Sequence, residues 1–212
     1  MEATILFKLF LYIVVVFSAV FHEYFHGWTA NELGDPTAKY SGRLTLNPLK
    51  HLDPIGTVFL PLFLLFFMGS FIGWAKPVPY NPYNLRDQRW GSSKVAISGP
   101  GANFLIALFF GLILRFGAMS GLLIRVSFLY IALTWVVYVN IILGLFNLIP
   151  IPPLDGSKIL MDIFPQTKVM HFLGASFMGI FLALILAIMF LPFISNLLYY
   201  FIVNSPFPQL AF

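Results

Sequence analysis

The chain has 212 residues, 59% of them hydrophobic and only 9% charged, with a mean hydropathy of +0.89. A water-soluble domain of this size is not that apolar, so the composition implies an all-α polytopic membrane protein, a single integral domain over residues 1–212. Such a chain supplies about five or six spans of ~20 residues and has nothing left for a soluble domain. The net charge of +4 comes from basic residues scattered among loops. They form no basic stripe, so no nucleic-acid partner is expected, and they are read instead as topology information. Cysteine is absent, so there is neither a disulfide framework nor a thiolate ligand, and any metal must be held by His, Asp or Glu.

The first apolar run is predicted helical from Thr4 to Leu33, closed by Gly34 with Pro36 just beyond. It has no basic leader before it and no small-residue cleavage site after it, so it is expected to be a retained span. From Ile5 to Phe21 it carries one charge, Lys8, and then His22-Glu23-Tyr24-Phe25-His26 arrives. An ionised acid at mid-membrane costs roughly 2.5–3.5 kcal/mol on insertion scales, so such residues face a protein interior or cavity and serve a function. Four residues apart on a helix, His22 and His26 share a face and can reach one metal ion. Glu23 is turned about 100° away, beside that ion, where it can serve an activated water. The pattern reads as an intramembrane zinc hydrolase.

A polar, turn-rich segment follows from Asp35 to Pro54, in which Tyr40–Leu46 alternates enough to predict a short strand. Ile55–Phe71 is apolar again, broken by Pro61 and Gly69. Gly73–Tyr80 has prolines two apart, at 77 and 79, and is expected to be extended. The next helix opens at Ser92 or Ser93, carries Gly99-Pro100-Gly101-Ala102-Asn103 and ends near Phe116. Gly99, Gly101 and Ala102 are expected to let helices approach closely. Val126–Leu148 is a further span, stopped by Pro150, Pro152 and Pro153 just before Asp155-Gly156. The core thus covers about 4–160. C-terminal helices occupy about 172–203, as a span over Phe172–Leu191 and a piece, Phe193–Val203, too short to cross alone. Asn103 and Asn140 read as interhelical hydrogen-bonding groups, His51 and His171 as solvated or interfacial loop residues, and Tyr199 as an interface anchor.

Two histidines leave a tetrahedral zinc site short of one protein ligand plus water. Asp155, Asp162, Asp53 and Asp35 are candidates, with Glu32 disfavoured because it lies at the end of the same helix. Asp155 is favoured, because the prolines unwind the chain as a long apolar helix ends, and irregular backbone at membrane depth needs protein or a wet cavity around it. Ligands at one depth also constrain topology. If Ile55–Phe71 crossed fully, His22 and Asp155 would face opposite leaflets; if it re-enters, they share one. The re-entrant arrangement puts nine basic residues (Lys39, Arg43, Lys50, Lys76, Arg86, Arg89, Lys94, Lys158, Lys168) on one side, against Lys8, Arg115 and Arg125 on the other. A full crossing gives seven to five. The positive-inside rule therefore predicts an outside N-terminus, a re-entrant segment at 55–80 and a site opening toward the cytoplasm.

HEYFH in a membrane helix, SGPGAN opening a later one and FNLIPIPPLDG after another make the chain resemble the site-2 protease family of intramembrane metalloproteases, in its short bacterial or archaeal form. The resemblance covers roughly residues 18–160. It implies one zinc ion held by His22, His26 and Asp155, with Glu23 as catalytic base and Asn147 helping to position substrate or stabilise the transition state. It implies a cell-membrane location, and substrates that are membrane proteins carrying a transmembrane segment. It also implies extended segments within the membrane near the site, a role that falls here to Tyr40–Leu46 and Gly73–Tyr80. No PDZ or nucleotide-sensing domain is expected within these 212 residues. A metal transporter is the alternative from another class, disfavoured by the single metal cluster and the lack of an inverted repeat. An inactive, partner-binding relative is disfavoured because Glu23 is intact.

Overall fold

The computed structural model describes residues 2–68, 73–123, 127–164 and 177–208. Its helices are α1 (Glu2–Glu32), α2 (Thr37–Tyr40), α3 (Leu60–Met68), α4 (Gly91–Met119), α5 (Phe128–Asn147), α6 (Asp155–Ile163) and α7 (Phe177–Val203). Four of them, α1, α4, α5 and α7, are long and apolar enough to cross a membrane.

The outward faces of these helices carry large apolar residues, and the inner faces mix small residues with large ones such as Leu114, Ile141 and Tyr199. On α7 the small Ala183 and Ala187 are buried, while Phe181, Ile188, Met189 and Phe193 point outward. On α4, Ala102 and Ala107 face in, and Leu105 and Phe109 face out. Large apolar groups exposed along four long helices, with small residues among the buried contacts, is the pattern of a bundle surrounded by lipid, where close packing rather than water exclusion holds helices together.

The contacts fix the directions. Ser98 and Asn103 of α4 meet Phe25 and Ser18 of α1, so those helices are antiparallel. On α5, Trp135 meets Phe7 and Asn140 meets Ser18, so α5 runs parallel to α1. On α7, Tyr199 meets Thr134 and Asn196 meets Tyr138, so α7 runs against α5. Both α1 and α5 therefore point to one end of the bundle, where α4 begins. The chain between α1 and α4 must leave and return at that same end.

It does so in two tied loops. Asp35, fully buried, accepts hydrogen bonds from the Asn81 amide (2.6 Å), the Asn84 side chain (2.9 Å) and the Thr37 hydroxyl. This latches the end of α1 to the approach to α4. Further along, Asp53 caps a wide turn at Pro54–Phe59 that leads into α3. The chain returns where Trp74 N–H donates to the Gly56 carbonyl (3.0 Å) and the Thr57 hydroxyl donates to the Trp74 carbonyl (2.6 Å). The 55–80 excursion thus doubles back, and Pro54–Phe67 is too short to span.

Three expectations are corrected. Tyr40–Leu46 is not a strand: Tyr40 ends α2, turns follow, and no strand occurs among the described residues. Positive φ at Gly42 (66°) breaks the alternation that the side chains imply. Residues 193–203 are not a separate piece, because α7 runs unbroken through Pro192. Tyr199 is not an interface anchor but fully buried, paired with Thr134 across α5.

A buried two-histidine, one-carboxylate cluster

His22 and His26 stand one turn apart on α1, and Asp155 is the first residue of α6, after the proline-broken turn that ends α5. All three are buried, at 6%, 7% and 5% exposure. His22 Nε2, His26 Nε2 and Asp155 Oδ2 form a triangle with each side 3.0 Å. Gly156 lets Asp155 come this close, since a Cβ there would collide with the Leu148 and Ile149 carbonyls at the end of α5.

The hydrogen bonds behind the triangle determine which atoms carry lone pairs. His26 Nδ1 lies 2.7 Å from the Val95 carbonyl, which can only accept, so Nδ1 holds the proton. Asn140 Nδ2 donates to the Val136 carbonyl and to the Ser18 hydroxyl, which turns its oxygen toward Asn103. Asn103 Nδ2 donates to that oxygen (2.9 Å) and to the Ser18 carbonyl, which turns its own oxygen to His22 Nδ1 (2.7 Å). Both histidines are thereby set as Nδ1–H tautomers with a free Nε2. Two imidazole lone pairs and a carboxylate oxygen converge, an arrangement that repels unless a cation lies among them. The 3.0 Å sides are close to the edge of about 3.3 Å that a tetrahedron with zinc-like bonds would have. The donor set therefore fits a divalent metal of the zinc type.

Lys158, one turn along α6, places Nζ 2.9 Å from the other Asp155 oxygen, leaving Oδ2 to the cluster. Burial pushes the Lys158 ammonium down, but the Asp155 carboxylate outweighs this and holds it above the ordinary lysine range. Gly99 on α4 lies directly against the two imidazoles, and a Cβ there would come within 2.5 Å of His26 Nε2 and 2.7 Å of His22 Nε2. Gly101, expected to serve helix approach, has open space around it instead.

Glu23 is beside the triangle. Its Oε2 accepts the Val78 N–H at 2.6 Å, and Oε1 has no protein partner among the described residues. A cavity of about 660 Å³ opens here, lined by His22, Glu23, Asn103, Ala75, Pro77 and Asn147 among others. Asn147, in the last turn of α5, lines the cavity and gives one N–H to the Leu143 carbonyl. The other acids weighed as ligands have different work: Asp162 accepts the backbone and hydroxyl hydrogens of Ser93 at the start of α4, Asp53 caps a turn and Asp35 latches a loop. His51 is a correction. It is 1% exposed rather than solvated, with Nε2 2.7 Å from the Thr45 carbonyl, and it too borders the cavity. His171 lies outside the described residues.

A multi-pass helical bundle with a buried His-His-Asp cluster and an adjacent glutamate in a cavity is the architecture of a membrane metallohydrolase. Comparison with known proteins makes this specific. The family described as "Peptidase family M50" matches residues 116–192, which include Asn147 and Asp155. "Putative zinc metalloprotease YwhC" of Bacillus subtilis is 40% identical over 163 residues, covering 74% of this chain and 69% of that protein. "Putative zinc metalloprotease Rip2" of Mycolicibacterium smegmatis is 31% identical over 140 residues, 66% of this chain and 51% of the relative. No solved structure matches the chain significantly. The chain belongs to peptidase family M50, the site-2 protease family of metalloproteases.

Proposed function

We propose that this chain is an intramembrane zinc endopeptidase that cuts transmembrane segments of other membrane proteins. One observation carries the reading: two imidazole nitrogens on an apolar helix and a carboxylate oxygen from the start of α6 meet 3.0 Å apart, all buried, next to a glutamate that lines a cavity and has one oxygen unpartnered among the described residues. His22, His26 and Asp155 would hold the metal, which would supply Lewis-acid chemistry at the site, activating a water near neutral pH. Glu23 Oε1 takes the proton of the attacking water and passes it to the leaving amine. Asn147 offers its remaining N–H to the developing oxyanion.

A substrate helix has its peptide groups satisfied internally and must unwind before attack. Gly73–Tyr80 offers replacement hydrogen bonds. Trp74, Lys76 and Val78 spend their N–H groups inward, whereas the N–H and carbonyl of Ala75, which borders the cavity, are unused among the described residues. An unwound substrate pairs with Ala75 as an added strand. The end of the bundle carrying the cluster also carries eight of the ten described basic residues, so it faces the cytoplasm and the N-terminus lies outside.

The test is Glu23→Gln, assayed with a fluorescein-tagged peptide bearing one leucine-rich transmembrane segment with a central Asn-Pro. The variant should keep one zinc per chain and lose cleavage by at least ~100-fold. Undiminished cleavage, or wild-type protein that cleaves while free of zinc, refutes the reading.

A further inference from the structure

Arg43 is buried, at 9% exposure, and takes part in no ion pair among the described residues. An arginine withdrawn from water without a carboxylate is expensive unless its donors are engaged. One nitrogen is engaged on backbone, while Nε is buried without a partner among the described residues. Nη2 donates to the Lys76 carbonyl at 2.7 Å and to the Pro77 carbonyl at 3.3 Å. From the same side, the His51 carbonyl accepts the Lys76 N–H at 2.9 Å, and His51 is itself fixed to Thr45. The 43–51 loop is thus a bracket that grips residues 76 and 77. The next residue, Val78, gives its N–H to Glu23 Oε2. Val78 can reach α1 because Gly27, one turn past Glu23, has no side chain: a Cβ there would come within 2.9 Å of Val78 Cγ1.

We infer that Arg43 is a positioning residue for the reaction: through the Lys76-Pro77 carbonyls it holds the Val78 N–H on Glu23 Oε2, so that Oε1 is aimed into the cavity. The inference rests on the reading of Glu23 as the base. A glutamate carboxylate turns about three side-chain bonds, and the backbone donor from Val78 restricts them. The extended segment therefore does two jobs along its two edges. Its outer edge, at Ala75, is open to a substrate strand, and its inner edge orients the base.

The experiment uses the full chain in detergent with the same tagged peptide, and compares wild type, Arg43→Met, Arg43→Lys and Glu23→Gln. Zinc content, kcat and KM are measured for each, together with the Val78 amide resonance in 15N-valine protein. Arg43→Met should lower kcat about tenfold or more, with KM changed less than about threefold and zinc retained. Arg43→Lys, which can still donate to a carbonyl, should recover part of the loss. Glu23→Gln should move the Val78 amide proton upfield, because it replaces a charged acceptor, and Arg43→Met should move it too. A Val78 resonance unmoved by Glu23→Gln overturns the inference, as does Arg43→Met that raises KM alone or keeps full kcat. If Arg43→Met does not fold, the Glu23→Gln shift and the Arg43→Lys kinetics still decide. Full cleavage by Glu23→Gln would instead overturn the assignment of the base.

Discussion

Gly99 and Gly101 lie two residues apart in α4, and the same substitution at each should have opposite consequences. In a helix interior, glycine costs roughly 0.8–1.0 kcal/mol relative to alanine. Gly101→Ala, with nothing near its Cβ, should recover most of that and raise stability by up to ~1 kcal/mol. At Gly99 the new methyl lies 2.5 Å from His26 Cε1 and Nε2 and 2.7 Å from His22 Nε2, so something must shift by about an ångström. The rings cannot yield cheaply, because Val95 and Asn103 hold their Nδ1 atoms. Overpacking of this kind costs typically 1–3 kcal/mol, more than the propensity gain, and the displacement falls on two of the three metal-facing atoms. Gly99→Ala should therefore lose zinc affinity by at least ~10-fold, the scale on which disturbed ligand orientation acts. Thermal unfolding in detergent and zinc competition against a chelator measure the two quantities. If Gly99→Ala binds zinc like wild type, the imidazoles do not pack on α4 as described, and the argument fails. Gly101→Ala is the control for the helix itself.

Asn103→Leu, which keeps the branched shape, leaves the His22 Nδ1–H and the Asn140 oxygen without partners; zinc affinity should fall about 10–100-fold, with Asn103→Asp retaining more because it keeps the acceptor. Ala75→Pro removes an N–H that is unused among the described residues, while the N–H groups of Trp74 and Lys76 have their own partners, and should lower kcat/KM about tenfold through KM, the loss of roughly one hydrogen bond. Asp35 supplies a pH test. Burial pushes its carboxyl up, but hydrogen bonds from Thr37, Asn84 and Asn81 outweigh this and hold it below the ordinary 3.8. The unfolded chain therefore takes up this proton at higher pH than the folded one. The stabilisation is complete above about pH 5 and fades as the pH drops through 3.8 and below. Asp35→Asn should lose about 1–3 kcal/mol at neutral pH, because one donor now faces an amide N–H₂, and should show a flatter acid limb in thermal unfolding.

What was legible in the sequence follows from what each signal encodes. The helical spacing of His22, Glu23 and His26 needs only the local geometry of α1, so it is readable without the fold. Asp155 lies 129 residues beyond His26; the proline break favours it among four aspartates, the charge count fits its depth, and the FNLIPIPPLDG resemblance is what singles it out. Tyr40–Leu46 misled because a two-residue alternation describes side-chain polarity, whereas Gly42 sets the backbone. His51 reads as solvated or interfacial and Arg43 only as a topology charge because their partners are main-chain carbonyls, and a carbonyl looks the same at every residue of a sequence. The same reason hid the bond from Val78 to Glu23.

The metal-facing cluster is consequently as much a property of α4 as of α1. A histidine pair on one helix presents two rings, each able to protonate at either nitrogen, and nothing within α1 chooses between the tautomers. The choice is made across the helix contact, by the Val95 carbonyl for His26 and by the Asn103 oxygen for His22, with Asn140 on a third helix fixing which way Asn103 faces. Gly99 between them keeps the contact close enough for both bonds to form. Pro100 sharpens this arrangement. It has no N–H, so the carbonyl of Ala96 loses its donor there, one turn above the contact, while the Val95 carbonyl is taken by His26 and the Ser98 hydroxyl. The SGPGAN segment is therefore the complement of HEYFH, one helix bringing two rings and the other setting their protons.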